Sequence, residues 1–118
     1  MSTATDPNTN VARWLDSLDP LAARTLRAAS VFGTVFFRGG VCALEPLVPP
    51  SVVDAWLMEF WRNGALLRRN GSRFEGEDTW LFKDPTLADA VVATLDPAER
   101  AAGHSRAARW FQAAGELD

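Results

Sequence analysis

The stretch Asn63-Gly64-Ala65-Leu66-Leu67-Arg68-Arg69-Asn70-Gly71, followed after a polar segment by Thr79-Trp80-Leu81-Phe82-Lys83, decides the fold. Two short runs with apolar positions, separated by an Asn-Gly turn signal and polar residues through Asp78, predict an antiparallel hairpin. It is the only β-structure the sequence suggests, and the chain on both sides of it reads as helix. Just upstream, Ser51 with Asp54 three residues later resembles a capping box after Pro49-Pro50, and Asn63-Gly64 provides a left-handed stop, which predicts a helix over about 52–63. A shorter helix fits between the flexible Gly39-Gly40 and Pro46, from about Gly40 to Glu45.

Asp-Pro pairs stand at 6–7, 19–20, 84–85 and 96–97. An Asp side chain accepts from the free amides of a first helical turn, and Pro in the next position has no amide to leave unsatisfied. Three of the pairs are expected to open helices. One runs from Asp19 to Phe32, with Leu26, Ala29 and Phe32 on one stripe and Gly33 as its stop. The others run from Asp84 to about Leu95 and from Asp96 to about Ala114, with Glu99 favouring the positive start of the last. Three helices, a hairpin and two more helices is the order of a winged helix whose two-stranded wing is followed by a C-terminal extension. The expected fold is therefore mostly α, with residues 1–18 a polar, partly disordered leader, 19–115 the winged-helix domain and 116–118 a tail.

Composition sets the class. The chain has 118 residues, of which 47% are hydrophobic, enough for one domain with a proper core and too short to hold an NTPase domain as well. A net charge of -3 with 23% charged residues marks neither a nucleic-acid nor a membrane-surface binder. Cys42 is the only cysteine, so no intramolecular disulfide exists and a reducing cytoplasm is the simplest compartment. With His104 equally alone, a zinc site is not expected. The apolar run Val31–Phe37 is far shorter than the roughly 20 residues of a membrane span, and residues 1–10 lack the pattern of a signal peptide. Abundant Ala and Arg, with Lys83 the only lysine, resemble high-GC bacterial coding.

Further residues carry a family resemblance. Leu26-Arg27-Ala28-Ala29-Ser30-Val31-Phe32-Gly33, Phe36-Phe37-Arg38-Gly39-Gly40-Val41, Gly71-Ser72-Arg73-Phe74 with Gly76-Glu77, Phe82-Lys83, and His104 with Ala107-Ala108 and Trp110 resemble the winged-helix segment of bacterial STAND-type signalling ATPases. That segment lies between the NTPase core and tetratricopeptide repeats, and the resemblance covers about residues 19–115. It implies a non-catalytic relay in a signalling system whose partner is an ATPase or kinase. Many members carry an aromatic, a basic residue and then His at the start of the helix after the wing, and in related NTPases a His near there senses the bound nucleotide. Here Asp84 stands at that position, a degenerate sensor whose carboxylate would repel phosphate, and whose alternative reading is a helix cap. No Gly-x-x-x-x-Gly-Lys-Ser/Thr loop exists in the chain, so it is either a module of a larger protein or a small relative that works by binding; Met1 and its polar leader favour a natural start.

No nucleophile with a base in reach, paired carboxylates or cofactor motif is visible, so no catalytic residue, metal or cofactor is expected. His104 reads as a surface or packing residue and Cys42 as a buried structural thiol. Glu75, Glu77 and Asp78 read as a solvated acidic loop, with a metal site as the alternative. DNA binding, the usual work of winged helices, asks for a third helix rich in groove-reading side chains. This one offers Asp54, Met58, Glu59, Trp61 and Arg62, and only Arg68, Arg69 and Arg73 at the wing are suitably positive, so a DNA-binding transcriptional regulator is the alternative reading.

Protein binding suits the same helix better. Val52, Val53, Trp56, Leu57 and Phe60 form one stripe toward the core, while Met58 and Trp61 fall on another side. Trp61 and Met58 are the first candidate contacts, unless neighbouring elements cover both faces; Phe37, one of two adjacent aromatics that point opposite ways, is next, followed by Arg68, Arg69 and Arg73. Ala107, Trp110, Phe111 and Ala114 make a stripe on the last helix that either packs on its own domain or supports self-association.

Overall fold

The computed structural model describes residues 7–72, 74 and 76–115, with side chains from Asn10 onward. Along them run α1 (Pro7–Ser17), α2 (Pro20–Val31), β1 (Val35–Phe36), α3 (Arg38–Leu44), α4 (Pro50–Arg62), β2 (Leu66–Arg69), β3 (Thr79–Phe82), α5 (Pro85–Val92) and α6 (Pro97–Ala113). The fold is mostly helical with one small antiparallel sheet, a layout compatible with a winged helix.

Asp-Pro chemistry sets three helix starts. The Leu21 amide donates to Asp19 at 2.8 Å and the Thr86 amide to Asp84 at 2.9 Å. At Asp96 the box is reciprocal, with the Glu99 amide on Asp96 at 2.8 Å and the Asp96 amide on the Glu99 carboxylate at 3.0 Å. The expected box at Ser51 and Asp54 does not form. Pro49 is the N-cap of α4, with no side chain accepting there, because the Asp54 carboxylate is taken by a two-pronged bond from Arg38, at 2.6 Å from Nε and 3.1 Å from Nη2. A paired guanidinium is a stronger donor than a neutral amide. α3 starts at Arg38, earlier than the sequence suggests, and Glu77 explains the start: its carboxylate accepts from the Gly39 amide at 3.0 Å, a cap from far along the chain that Phe37 cannot supply.

The sheet has three strands where two were expected. β1 pairs antiparallel with β3, which pairs antiparallel with β2, in the order β1-β3-β2. At two residues β1 is too short to show any alternation in sequence.

α2 is the hub of the helical layer and touches α1, α3, α4, α5 and α6. Its buried face is mostly small, with Ala22, Ala23, Ala28 and Ala29 beside Leu26 and Val31, so five helices approach closely. Its buried hydroxyls are satisfied within the helix, Thr25 donating to the Leu21 carbonyl at 2.8 Å and Ser30 to that of Arg27 at 2.7 Å.

The leader reading is corrected by α1, which occupies residues 7–17 and lies on α5 and α2. Leu15 is buried, Val11, Trp14 and Leu18 pack against the core, and Trp14 meets the Phe60 ring edge-on with centroids 6.3 Å apart. These four residues recur at three- and four-residue spacing, so the domain begins before Asp19. Residues 1–6 and 116–118 lie outside the described residues.

Phe37 is also corrected. Adjacent Phe36 and Phe37 do point opposite ways, but both sides are covered: Phe36 enters the main core, and Phe37 joins a second cluster with Phe74, Trp110 and Phe111, at centroid distances of 5.0, 5.8 and 6.4 Å. Phe32 closes that cluster against Trp110 and Phe111. Ala107, Trp110 and Phe111 of the last helix thus pack on their own domain, while Ala114 of that stripe is exposed. No described helix is long and apolar enough to cross a membrane.

Candidate interaction surface

α4 turns Val53, Leu57 and Phe60 inward, and its amphipathic turn leaves Trp61 on the other side with 45% of its surface open. Met58 is only half-exposed, because Arg68 reaches over it with Nη1 at 3.9 Å from the sulfur. Of the two α4 candidates, Trp61 is the open one.

The register of the sheet creates a further apolar feature. Val35 lies opposite Leu81, and Leu81 opposite Leu67. Residues directly opposite one another share a face, so these three form one row across all three strands. Phe36, Trp80, Leu66 and Phe82 are buried on the inner face, which puts the row outside, with Val35 41% and Leu67 40% exposed. The period-two alternation at Leu66-Leu67 marks Leu67 as outward in sequence, but Val35 carries no such signal. Leu47, in the turn before α4, is the most exposed large apolar side chain described, at 77%.

Three arginines near α4 and the β2–β3 hairpin lie against carboxylates. Arg38 holds Asp54, Arg62 approaches Glu59 at 3.9 Å, and Arg68 places Nη2 2.6 Å and Nε 3.0 Å from one oxygen of Asp78. Arg68 also lies over the Trp80 ring, 5.4 Å from its centroid. The Arg38–Asp54 and Arg68–Asp78 pairs border a cleft of about 320 Å³ that includes Met58, Gly76 and Glu77. Arg69 is exposed, and Arg73 and Glu75 lie outside the described residues.

The acidic wing residues bind the protein to itself. Glu77 caps α3, and Asp78 accepts from the Gly71 amide at 2.9 Å with its second oxygen while holding Arg68 with the first. The Gly71 amide, followed by Arg68, holds the Asp78 carboxyl below the usual carboxylate range. A depressed carboxyl stabilises the fold above its ordinary pKa and loses that contribution as pH falls through the native value. The wing should therefore loosen on acidification below about pH 4. NMR titration is expected to show Asp78 titrating lower than an unstructured aspartate, with the Gly71 amide shifting in step; a normal Asp78 midpoint would show that this clasp does not form.

Asp84 is a cap in this structure. Its carboxylate accepts from both the amide and the hydroxyl of Thr86, at 2.9 and 2.7 Å, and these bonds lower its pKa. Cys42 is half-buried rather than fully buried, and burial pushes its thiol up, partly opposed by Arg38. His104 is exposed on α6. Among the described residues no three His, Cys, Asp or Glu side chains gather as a metal-binding set. Comparison with known protein families, curated proteins and solved structures finds no match to this chain.

Proposed function

We propose that this chain is a non-catalytic interaction module of a bacterial cytoplasmic signalling system, a regulatory domain of winged-helix type that binds another protein. The observation that carries the reading is the contrast around α4 and the hairpin: Arg38 and Arg68 are paired with carboxylates of the same chain, while Trp61, Val35 and Leu67 stay exposed. Phosphate binding needs cations free to release counterions from DNA, and Arg38 and Arg68 are already engaged. An exposed Trp is the kind of side chain enriched among interface anchors. The resemblance to STAND ATPases adds an ATPase or kinase as the class of partner, with the domain acting as a relay.

Trp61→Ala tests this. The variant should lose about 1 kcal/mol or less of stability, since the ring is half in solvent, and lose capture of its protein partner in pull-downs from native lysate. Recovery should be equal with and without nuclease. Material that disappears on nuclease treatment, and binds DNA with a steep salt dependence, would favour a transcriptional regulator instead. A several-kcal/mol destabilisation without a binding change would return Trp61 to the core.

A further inference from the structure

We propose that the cleft bounded by α2, the end of α3 and α6 is a binding site for a small organic oxyanion, a phosphate or carboxylate carried on an apolar body. The cleft encloses about 360 Å³ and is lined by residues of these three helices together with Leu95 from the turn before α6. That volume is at the lower end of the roughly 300–1,000 Å³ typical of small-molecule pockets. Its floor is apolar, made by Ala28 and Val31 of α2, Leu44 of α3, Leu95, and Gly103 of α6, with the exposed Ala102 at its edge. Gly103 brings α6 in close: a Cβ there would stand 3.0 Å from Val31 Cγ2.

The rim holds Arg24, Arg27 and Arg106 with Glu45 and Glu99. Three guanidiniums thus face two carboxylates, of which Glu45 is ion-paired. Glu45 takes Arg24 at 3.1 Å, and Glu99 accepts from the Asp96 amide in the α6 capping box. Arg27 and Arg106 form no ion pair among the described residues, and each makes one long hydrogen bond of 3.4 Å, to the Thr94 hydroxyl and the Leu44 carbonyl respectively. They differ in this from Arg38 and Arg68, which carboxylates hold at 2.6 Å. A guanidinium presents five donors in a planar fork suited to two oxygens of one anion. Two such forks with spare donors on one rim provide the charge recognition, and the floor rewards a ligand that brings apolar surface with its charge. A bare inorganic ion gains nothing from that floor.

The test uses the full chain, isotope-labelled, titrated by NMR with phenyl phosphate, phenylacetate, inorganic phosphate and benzyl alcohol. At least one of the two aromatic anions should bind at least about tenfold tighter than either inorganic phosphate or the neutral alcohol. Its shifts should centre on the amides of Ala28, Leu95 and Gly103, and the tighter of the two anions names the headgroup. Arg106→Gln and Arg27→Gln should each weaken it by about tenfold. Arg106 is exposed, so its variant should keep the wild-type spectrum elsewhere, and Arg27 gives an independent second reading. Binding of neither aromatic anion more tightly than inorganic phosphate and benzyl alcohol, shifts centred away from these helices, or undiminished affinity in both folded variants would overturn the proposal.

Discussion

Phe37→Ala should destabilise the protein by about 3–5 kcal/mol, the usual range for deleting a buried phenyl ring. The ring stacks on Trp110 at 5.8 Å and meets Phe74 and Phe111 edge-on, so its loss leaves a cavity bordered by three large side chains from the wing and α6. The opening lies where α6 is attached to the rest of the fold beyond Ala107. Urea unfolding should therefore show a lower midpoint, and the Trp110 emission should shift toward that of exposed indole under native conditions. A change below about 1 kcal/mol, the size of a surface substitution, would mean that the aromatic cluster does not hold α6. This outcome separates Phe37 from Trp61, whose replacement should alter binding and leave stability nearly intact.

Leu15→Ala should cost about 2–5 kcal/mol, because a fully buried leucine leaves a void that its neighbours refill only in part. Leu15 is 1% exposed and belongs to the same continuous core as Leu26, Phe60 and Val91. Removing residues 1–18 altogether should be worse, since it uncovers the sides of α2 and α5 against which α1 packs. Chemical denaturation of both variants checks this, with the shortened chain expected to lose its sharp two-state transition. Full stability in the shortened chain would reinstate the start of the domain at Asp19.

What could be read from the sequence was local. Asp19, Asp84 and Asp96 announce helices because the capping carboxylate and the helix it caps are neighbours in the chain, and Asn70-Gly71 marks the wing for the same reason. Trp61 was legible as an outlier on α4 because helical periodicity separates it from Val53, Leu57 and Phe60. Contacts over distance were not legible. The fate of Phe37 depended on whether Phe74 and Trp110 would arrive to cover it, and the cap on α3 came from Glu77 across 38 positions. α1 was obscured by its Asn and Asp content, which resembles a loop, although Val11, Trp14, Leu15 and Leu18 keep a helical spacing. Asp54 looked like a cap because Ser51 stood in the right place, and only the position of Arg38 reveals its real partner.

The seam between β1 and β3 bears on the order in which the molecule assembles. β2 and β3 are near neighbours in the chain and can find one another early, whereas Val35 meets Leu81 only after α3, α4 and the wing have all folded back. Closing so long a loop costs entropy that local helix contacts do not have to overcome. β1 is therefore expected to join the sheet late, and a contact made after the rate-limiting step governs how long the native state survives rather than how quickly it is reached.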